Sequence, residues 1–280
     1  MSAKSGSVLI VQNKGGGHGE LGFQLAKNLS SNPSVKSITI LQDDACDDTK
    51  EPFKSYESTF DSDKVTVVKA SLGDEGMSLD DLKGKLDPDG FEYVFDNCSK
   101  GPVGAGKAVC DAVKEWGTKV FTYVSSAGMY QPDASTTFPM DESTPVKEGA
   151  GQNKLDQYAI ELDLPLVSFR PQYIYGPNAN KYDYIDWFLD RLVRDLPLPI
   201  PGDGTQMVSL TNSEDVASLL ASVIDAPDAA VEERFFNCGT DKLYSYNDVA
   251  KMCAKAAGIP EDKIMVRSYN NVLLFIWLHY

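Results

Sequence analysis

The stretch from Ser7 to Gly22, SVLIVQNKGGGHGELG, narrows the choice of fold more than any other. A β-branched run passes straight into glycines and then into a helix-period segment. Gly16, Gly19 and Gly22 are spaced three apart, and Gly17, Gly19 and Gly22 also satisfy GxGxxG. Glycines in such a turn let the chain reverse tightly, let the backbone approach a pyrophosphate and let the helix pack closely on the strand. The helix N-terminus then faces the phosphates. The second apolar run ends in LQDDA, so Asp43 or Asp44, about 20 residues past the last glycine, is placed to accept hydrogen bonds from a ribose hydroxyl. A carboxylate there disfavours the 2′-phosphate of NADP. His18 reads as a hydrogen-bonding residue of the loop.

The same unit recurs along the chain. SITIL, KVTVV, YVFDN, VFTYVSS and LPLVSFR are short apolar runs separated by helix-period stretches such as AGKAVCDAVKEW. Strands alternating with helices predict a parallel sheet covered on both faces, a doubly wound α/β Rossmann sheet. Ala105, Ala108, Val109, Ala112, Val113 and Trp116 fall on one helical stripe and predict a packing face. After Arg170 the chain turns Pro- and Tyr-rich around an amphipathic stripe of Ile185, Phe188, Leu189, Leu192 and Val193. Residues 1–170 are therefore expected to form the sheet domain, with 206–224 returning to it, and 171–280 a small C-terminal lobe.

Composition excludes several functions. With 26 basic against 41 acidic side chains the formal charge is -15, so the average surface field repels phosphate backbones. Five scattered cysteines without a CxxC pair disfavour a disulfide framework and a zinc site, and with only His18 and His279 a His-rich metal site is not expected. The run VLLFIWL is far short of the roughly 20 residues that span a bilayer, and the first residues show no signal or transit peptide. A second glycine-rich stretch, GPVGAGKA, has the Gly101, Gly106 and Lys107 spacing of a phosphate loop, but Ala108 stands where Ser or Thr should bind magnesium.

Together GGGHGELG, YVSSAGMY, the Lys154 helix, RPQYIYGP and PIPGDGTQMVSLTNSEDVA resemble the extended short-chain dehydrogenase/reductase superfamily. FDNCSK, SSAGMYQP, SFRPQYIYG, WFLDRLVRDLPLPIPG and FNCGTDK make the chain similar to an atypical branch, the chloroplast stem-loop-binding proteins, from about residue 7 to about residue 267. The resemblance implies an NAD-type cradle at Gly16, Gly17, His18, Gly19, Gly22, Asp43 and Lys154. It also implies RNA or ribonucleoprotein as partner, an associated endoribonuclease activity, a plastid location with cytoplasm as the alternative, and a homo- or hetero-oligomer seamed near residues 104–116 and 152–163. The family's last segment is absent after Arg267, so a truncated lobe is expected.

Short-chain dehydrogenases work through Tyr-x-x-x-Lys, in which a lysine lowers the pKa of a phenol one helical turn away so that it exchanges a proton with the substrate oxygen. Here Lys154 and Ser126 stand where the pattern puts them, but the tyrosine's position is Ala150. A methyl group carries no proton. Tyr158 and Tyr130 are the nearby substitutes, Lys154 stays either a ribose or phosphate contact or a surface lysine, and no metal is implied. For RNA the candidate cluster is Arg170, Lys181, Arg191 and Arg194 with Tyr173, Tyr175, Tyr182 and Trp187, which mixes cations with stacking surfaces. The expected chemistry is RNA association without dehydrogenase turnover; the alternative is an NAD-dependent epimerase or reductase with a substitute for the phenol.

Overall fold

In the computed structural model the chain is described at residues 3–12, 16–73, 77–179, 183–240 and 242–269, with backbone alone at 16–18. The first strand shows why a parallel sheet forms. Val8, Leu9, Ile10 and Val11 are all 0% exposed, so both faces of the strand are covered and the run carries no polar alternation.

The strands are β1 (Lys4–Gln12), β2 (Ser37–Asp43), β3 (Val65–Ala70), β4 (Phe91–Asp96), β5 (Val120–Val124), β6 (Leu166–Pro171), β7 (Ile174–Tyr175), β8 (Leu198–Pro201), β9 (Met207–Val208), β10 (Thr211–Asn212), β11 (Phe235–Cys238), β12 (Tyr244–Ser245) and β13 (Val266–Tyr269). The helices are α1 (Gly16–Ser30), α2 (Tyr56–Thr59), α3 (Leu79–Lys85), α4 (Gly104–Trp116), α5 (Gly151–Glu161), α6 (Ile185–Val193), α7 (Ser213–Ala221), α8 (Pro227–Glu233) and α9 (Tyr246–Ala256). Seven strands form the central sheet in the order β11-β6-β5-β4-β1-β2-β3, every neighbouring pair parallel.

The order reverses between β1 and β4, which pair at Val11 and Asp96. Such a switch point opens a crevice at the carboxyl ends of the strands, and ligands of open α/β sheets bind there. Val8, Ile10, Phe95 and Phe169 pack toward α1 and α7, whereas Leu9, Val94, Phe121 and Leu166 pack toward α4 and α5. The expected stripe of α4 is buried in full, and the helix ends on Gly117, whose φ of 65° is the left-handed cap that favours glycine.

A smaller core of Phe188, Leu192, Leu198, Ile200, Val249 and Cys253 holds α6, α9 and β8 together, and β13 pairs with β8. Val193, expected in the α6 stripe, instead stands 66% exposed in the helix's last turn, where no neighbouring element covers it. The seventh sheet strand, β11, was not anticipated as a strand; it pairs with β6 from Phe235↔Ser168 to Cys238↔Pro171. Among the described residues no helix is long and apolar enough to cross a membrane. All five cysteines are free thiols. Residues 270–280, including His279 and the apolar run, lie outside the described residues.

Candidate functional site

On one side of the switch point lies the glycine turn. Gln12, the last residue of β1, is buried and donates from Nε2 to Gln42 Oε1 at 2.8 Å and to the Tyr56 hydroxyl. A Cβ on Gly22 would sit 1.4 Å from Gln12 Oε1, so α1 lies on β1 as closely as only glycine allows. A Cβ on Gly19 would meet the Phe53 ring at 3.2 Å. The β2–β3 connection therefore lies over that glycine through an aromatic cluster of Phe23, Phe53, Tyr56 and Phe60. The side chain of His18 lies outside the described residues.

Asp43 ends β2 half-buried, its Oδ1 accepting from the Ala45 N–H at 3.0 Å, while Asp44 is exposed. Between the two halves of the sheet, Asn97 is 0% exposed; its N–H donates to Val11 O at 2.9 Å, and neither atom of its amide finds a partner. A buried amide left unpaired at the mouth of a switch point asks for a polar ligand. With the α1 N-terminus and Asp43 beside it, the crevice fits a dinucleotide.

Glu20 was missed by the sequence reading, although a carboxylate opening an apolar helix stripe was the available signal. It is 0% exposed, with Oε1 accepting from Gln24 Nε2 at 2.9 Å and from Ser213 Oγ at 3.0 Å. Its Oε2 has no partner. Gly176 runs directly beneath, since a Cβ there would lie 2.4 Å from Glu20 Oε1.

Across the switch point is the α5 corner. Ser126 follows β5 half-exposed and accepts from the Gly128 N–H at 3.0 Å. Ala150 is the N-cap of α5, with extended backbone at φ -65° and ψ 130°. The helical register with Lys154 survives as the Lys154 N–H donating to Ala150 O at 3.0 Å, but position 150 stands at the helix mouth rather than on its face. The Lys154 side chain is exposed, and its ammonium has no hydrogen bond or ion pair among the described residues.

Neither substitute phenol points into this corner. Tyr158 donates to Asp111 Oδ1 at 2.6 Å on the outer side of α4, and burial with that carboxylate pushes its pKa up. Tyr130 donates to Asn237 Oδ1 at 2.7 Å and accepts from Arg170 at 3.0 Å. Arg170 itself is buried between the Tyr130 and Phe235 rings, with its Nε unpartnered. Asp156, one turn inside α5, is 1% exposed and lies beside the Ser168 hydroxyl. Burial pushes its pKa up to about 6 even though Ser168 and then Arg170 draw it down.

The expected RNA cluster is not assembled. Arg170 is internal, Arg191 donates to Pro197 O at 2.7 Å and stacks on Trp187, Arg194 pairs with Asp190 at 3.2 Å, and Lys181 and Tyr182 lie outside the described residues. Tyr173 packs on Tyr184 instead, centroids 4.8 Å apart. The GPVGAGKA stretch is no cradle either. A Cβ on Gly106 would sit 2.4 Å from Gly101 O, and Lys107 pairs with Asp111 at 2.6 Å. The outward residues of the two helices expected at an oligomer seam are polar: Lys107, Lys114 and Glu115 on α4, Lys154, Gln157 and Glu161 on α5.

Comparison with known proteins agrees with this frame. The profile of the NAD dependent epimerase/dehydratase family matches residues 102–239, a span that includes Ser126, Ala150 and Lys154. The chain is 30% identical over 206 residues to the chloroplast stem-loop binding protein of 41 kDa b of Arabidopsis thaliana, covering 73% of this chain and 52% of that protein. It thus spans about half the length of that relative. It is also 30% identical over 148 residues to the trifunctional UDP-glucose 4,6-dehydratase/epimerase/reductase RHM1 of the same plant, covering 51% of this chain and 22% of the other. Among solved structures, dTDP-glucose 4,6-dehydratase of Bacillus anthracis, in complex with NAD, has the same fold at a TM-score of 0.73 and 17% identity, covering 94% of this chain and 84% of that one.

Proposed function

We propose, from the premise that this chain carries a domain of the NAD dependent epimerase/dehydratase family, that it is an RNA-associated plastid protein of the short-chain dehydrogenase/reductase superfamily whose crevice no longer carries out dehydrogenase chemistry. The observation that carries this reading is Ala150 at the mouth of α5, with both neighbouring phenols bonded elsewhere. Support for RNA comes from the likeness to the stem-loop binding protein.

In this reading the helix mouth at Gly16 and Gly17 faces the pyrophosphate, Gly19 and Gly22 let α1 lie close under Phe53 and on β1, Asp43 accepts from the adenosine ribose, and Lys154 reaches the second ribose. The crevice lies between the 1–170 unit and the lobe of 171–280. NAD, when bound there, supplies a hydride acceptor or donor. The chain's own residues decide whether that capacity is used. Ser126 can orient a carbonyl and Lys154 can hold a hydroxyl, but no group at position 150 can pass a proton to the substrate oxygen. General acid-base catalysis is worth roughly 10²- to 10⁴-fold, so hydride turnover falls to background without it.

A titration of a fluorescent stem-loop RNA at physiological salt tests the reading. Saturable binding is expected, and binding no tighter than that of an unrelated acidic Rossmann protein ends it. A second reading, an NAD-dependent epimerase or reductase, is favoured by the family profile covering the whole Ser126–Lys154 span. Loss or gain of NADH absorbance with nucleotide-sugar substrates would support it, and silence across a broad panel would remove it.

A further inference from the structure

On a chain this acidic, an RNA-binding face must be a local concentration of cations that acids have not already neutralised. Among the described exposed lysines of the sheet domain, Lys27, Lys36, Lys85, Lys100, Lys114, Lys119, Lys147 and Lys154 meet that condition, and others fail it. Lys4, Lys50, Lys54, Lys69, Lys83 and Lys107 are all ion-paired with Asp or Glu, as are Lys251 and Arg194 of the lobe.

Three exposed lysines meet at the α5 mouth and are not paired. The Lys147 carbonyl accepts the Ala150 N–H at 3.1 Å, and its Nζ donates to Gly128 O at 2.9 Å, beside Ser126. Lys154 lies one turn along α5 from Ala150. The Lys100 carbonyl presses on the first residue of α5, since a Cβ on Gly151 would lie 2.0 Å from it. The backbones of residues 147 and 154, neighbours of Ala150 along the chain, and of residue 100, from the β4–α4 loop, thus meet at Ala150 and Gly151. None of the three ammonium groups has an ion pair among the described residues, and Glu148 is the exposed acid adjoining them in sequence. In a dehydrogenase of this superfamily the corner would hold one lysine against a phenol. Here the phenol is gone and the cations surround the gap.

We infer that the corner formed by Lys100, Lys147 and Lys154 around Ala150 is the phosphate-contacting face for RNA, so that the site emptied of proton chemistry has become an anion-binding one. The inference rests on the RNA reading above and adds to it the place and the chemistry: backbone phosphates, held without base readout by three exposed ammonium groups, of which that of Lys147 is fixed in place by Gly128 O. Phosphate contacts of this kind position an RNA without specifying its sequence.

The test compares two triple variants of the full chain with wild type, using the same fluorescent stem-loop RNA. One variant is Lys100→Gln, Lys147→Gln and Lys154→Gln; the other is Lys36→Gln, Lys119→Gln and Lys255→Gln, which removes the same charge from exposed, unpaired lysines elsewhere. The corner variant is expected to bind at least about tenfold more weakly, and its plot of log affinity against log salt to flatten by about 2 to 3, one phosphate per lysine. The control variant should stay within about twofold of wild type. Unchanged thermal melting confirms that each variant is folded, and replacement of the three corner lysines by arginine should restore binding. If wild type binds and the corner variant binds equally, or both variants weaken alike, the inference is overturned while the RNA reading stands. If wild type itself does not bind, both fall.

Discussion

The glycine turn and the α5 corner lie at the same carboxyl edge of one sheet, yet they are held in different ways. The turn is closed by side chains: Gln12 fills the space over Gly22, and Phe53 that over Gly19. At the corner it is backbone that presses on backbone, the Lys100 carbonyl against Gly151, while the side chains of Lys100 and Lys154 stand in solvent and that of Lys147 lies on the surface, donating to Gly128 O. The difference teaches why residue type is constrained at the turn and less so at the corner, where Ala150 stands at the helix mouth. Where packing requires a residue type, substitution costs stability; where a side chain points outward from a fixed backbone, chemistry can be removed without disturbing the fold.

Substitutions can break that comparison, and the largest effect should come from the corner's backbone contact. Gly151→Ala pushes a methyl into the Lys100 carbonyl, which a rigid loop cannot yield, and should cost about 3 kcal/mol in urea unfolding. A loss under about 1 kcal/mol would show the corner's frame to be as loose as its side chains.

Next comes the buried carboxyl beneath α5. Asp156 titrates near pH 6 when folded and near its ordinary 3.8 when unfolded, so the folded protein holds more protons between those values. Stability therefore falls as pH rises through that window, by about 2 to 3 kcal/mol, and levels off above it. Asp156→Asn should flatten the profile, which denaturation at a series of pH values reads directly.

Gly22→Ala should cost less, about 1 to 2 kcal/mol, because the Gln12 amide can swing aside at the expense of its bond to Gln42. A cost equal to that of Gly151→Ala would erase the distinction between side-chain and backbone closure. The smallest effect is expected from Ala150→Tyr. It places a phenol at a half-buried N-cap and should shift stability by under about 1 kcal/mol, with NADH turnover left at background. Restored carbonyl reduction would instead show that Ser126 and Lys154 had stayed in catalytic geometry.

Much of the frame was legible in the chain itself. The six apolar runs up to Arg170 are six strands of the sheet, and the stripe from Ala105 to Trp116 is a buried face, because strand and helix periodicities follow from local backbone geometry. The strand Phe235–Cys238 was not, because three of its four residues are half-buried and it lacks the long apolar run that marks the others. The site was legible in part. Ser126, Lys154 and Ala150 were found through the resemblance to the short-chain dehydrogenase/reductase pattern, whereas the bonds of Tyr130 and Tyr158 depend on Asn237 and Asp111, which lie 107 and 47 residues away from those tyrosines.

What the sequence determined by itself is the glycine spacing, the order of strands and helices, and the absence of a proton carrier at position 150, since a methyl group is a methyl group in any fold. The tertiary structure alone decided which side chains share a space: that Glu20 is sealed against Gly176, that both neighbouring phenols turn away, and that residue 100 meets Gly151 beside Lys147 and Lys154. The reason is physical. Secondary structure follows from interactions a few residues apart, while a site is made by loops whose ends are set by the register of distant strands.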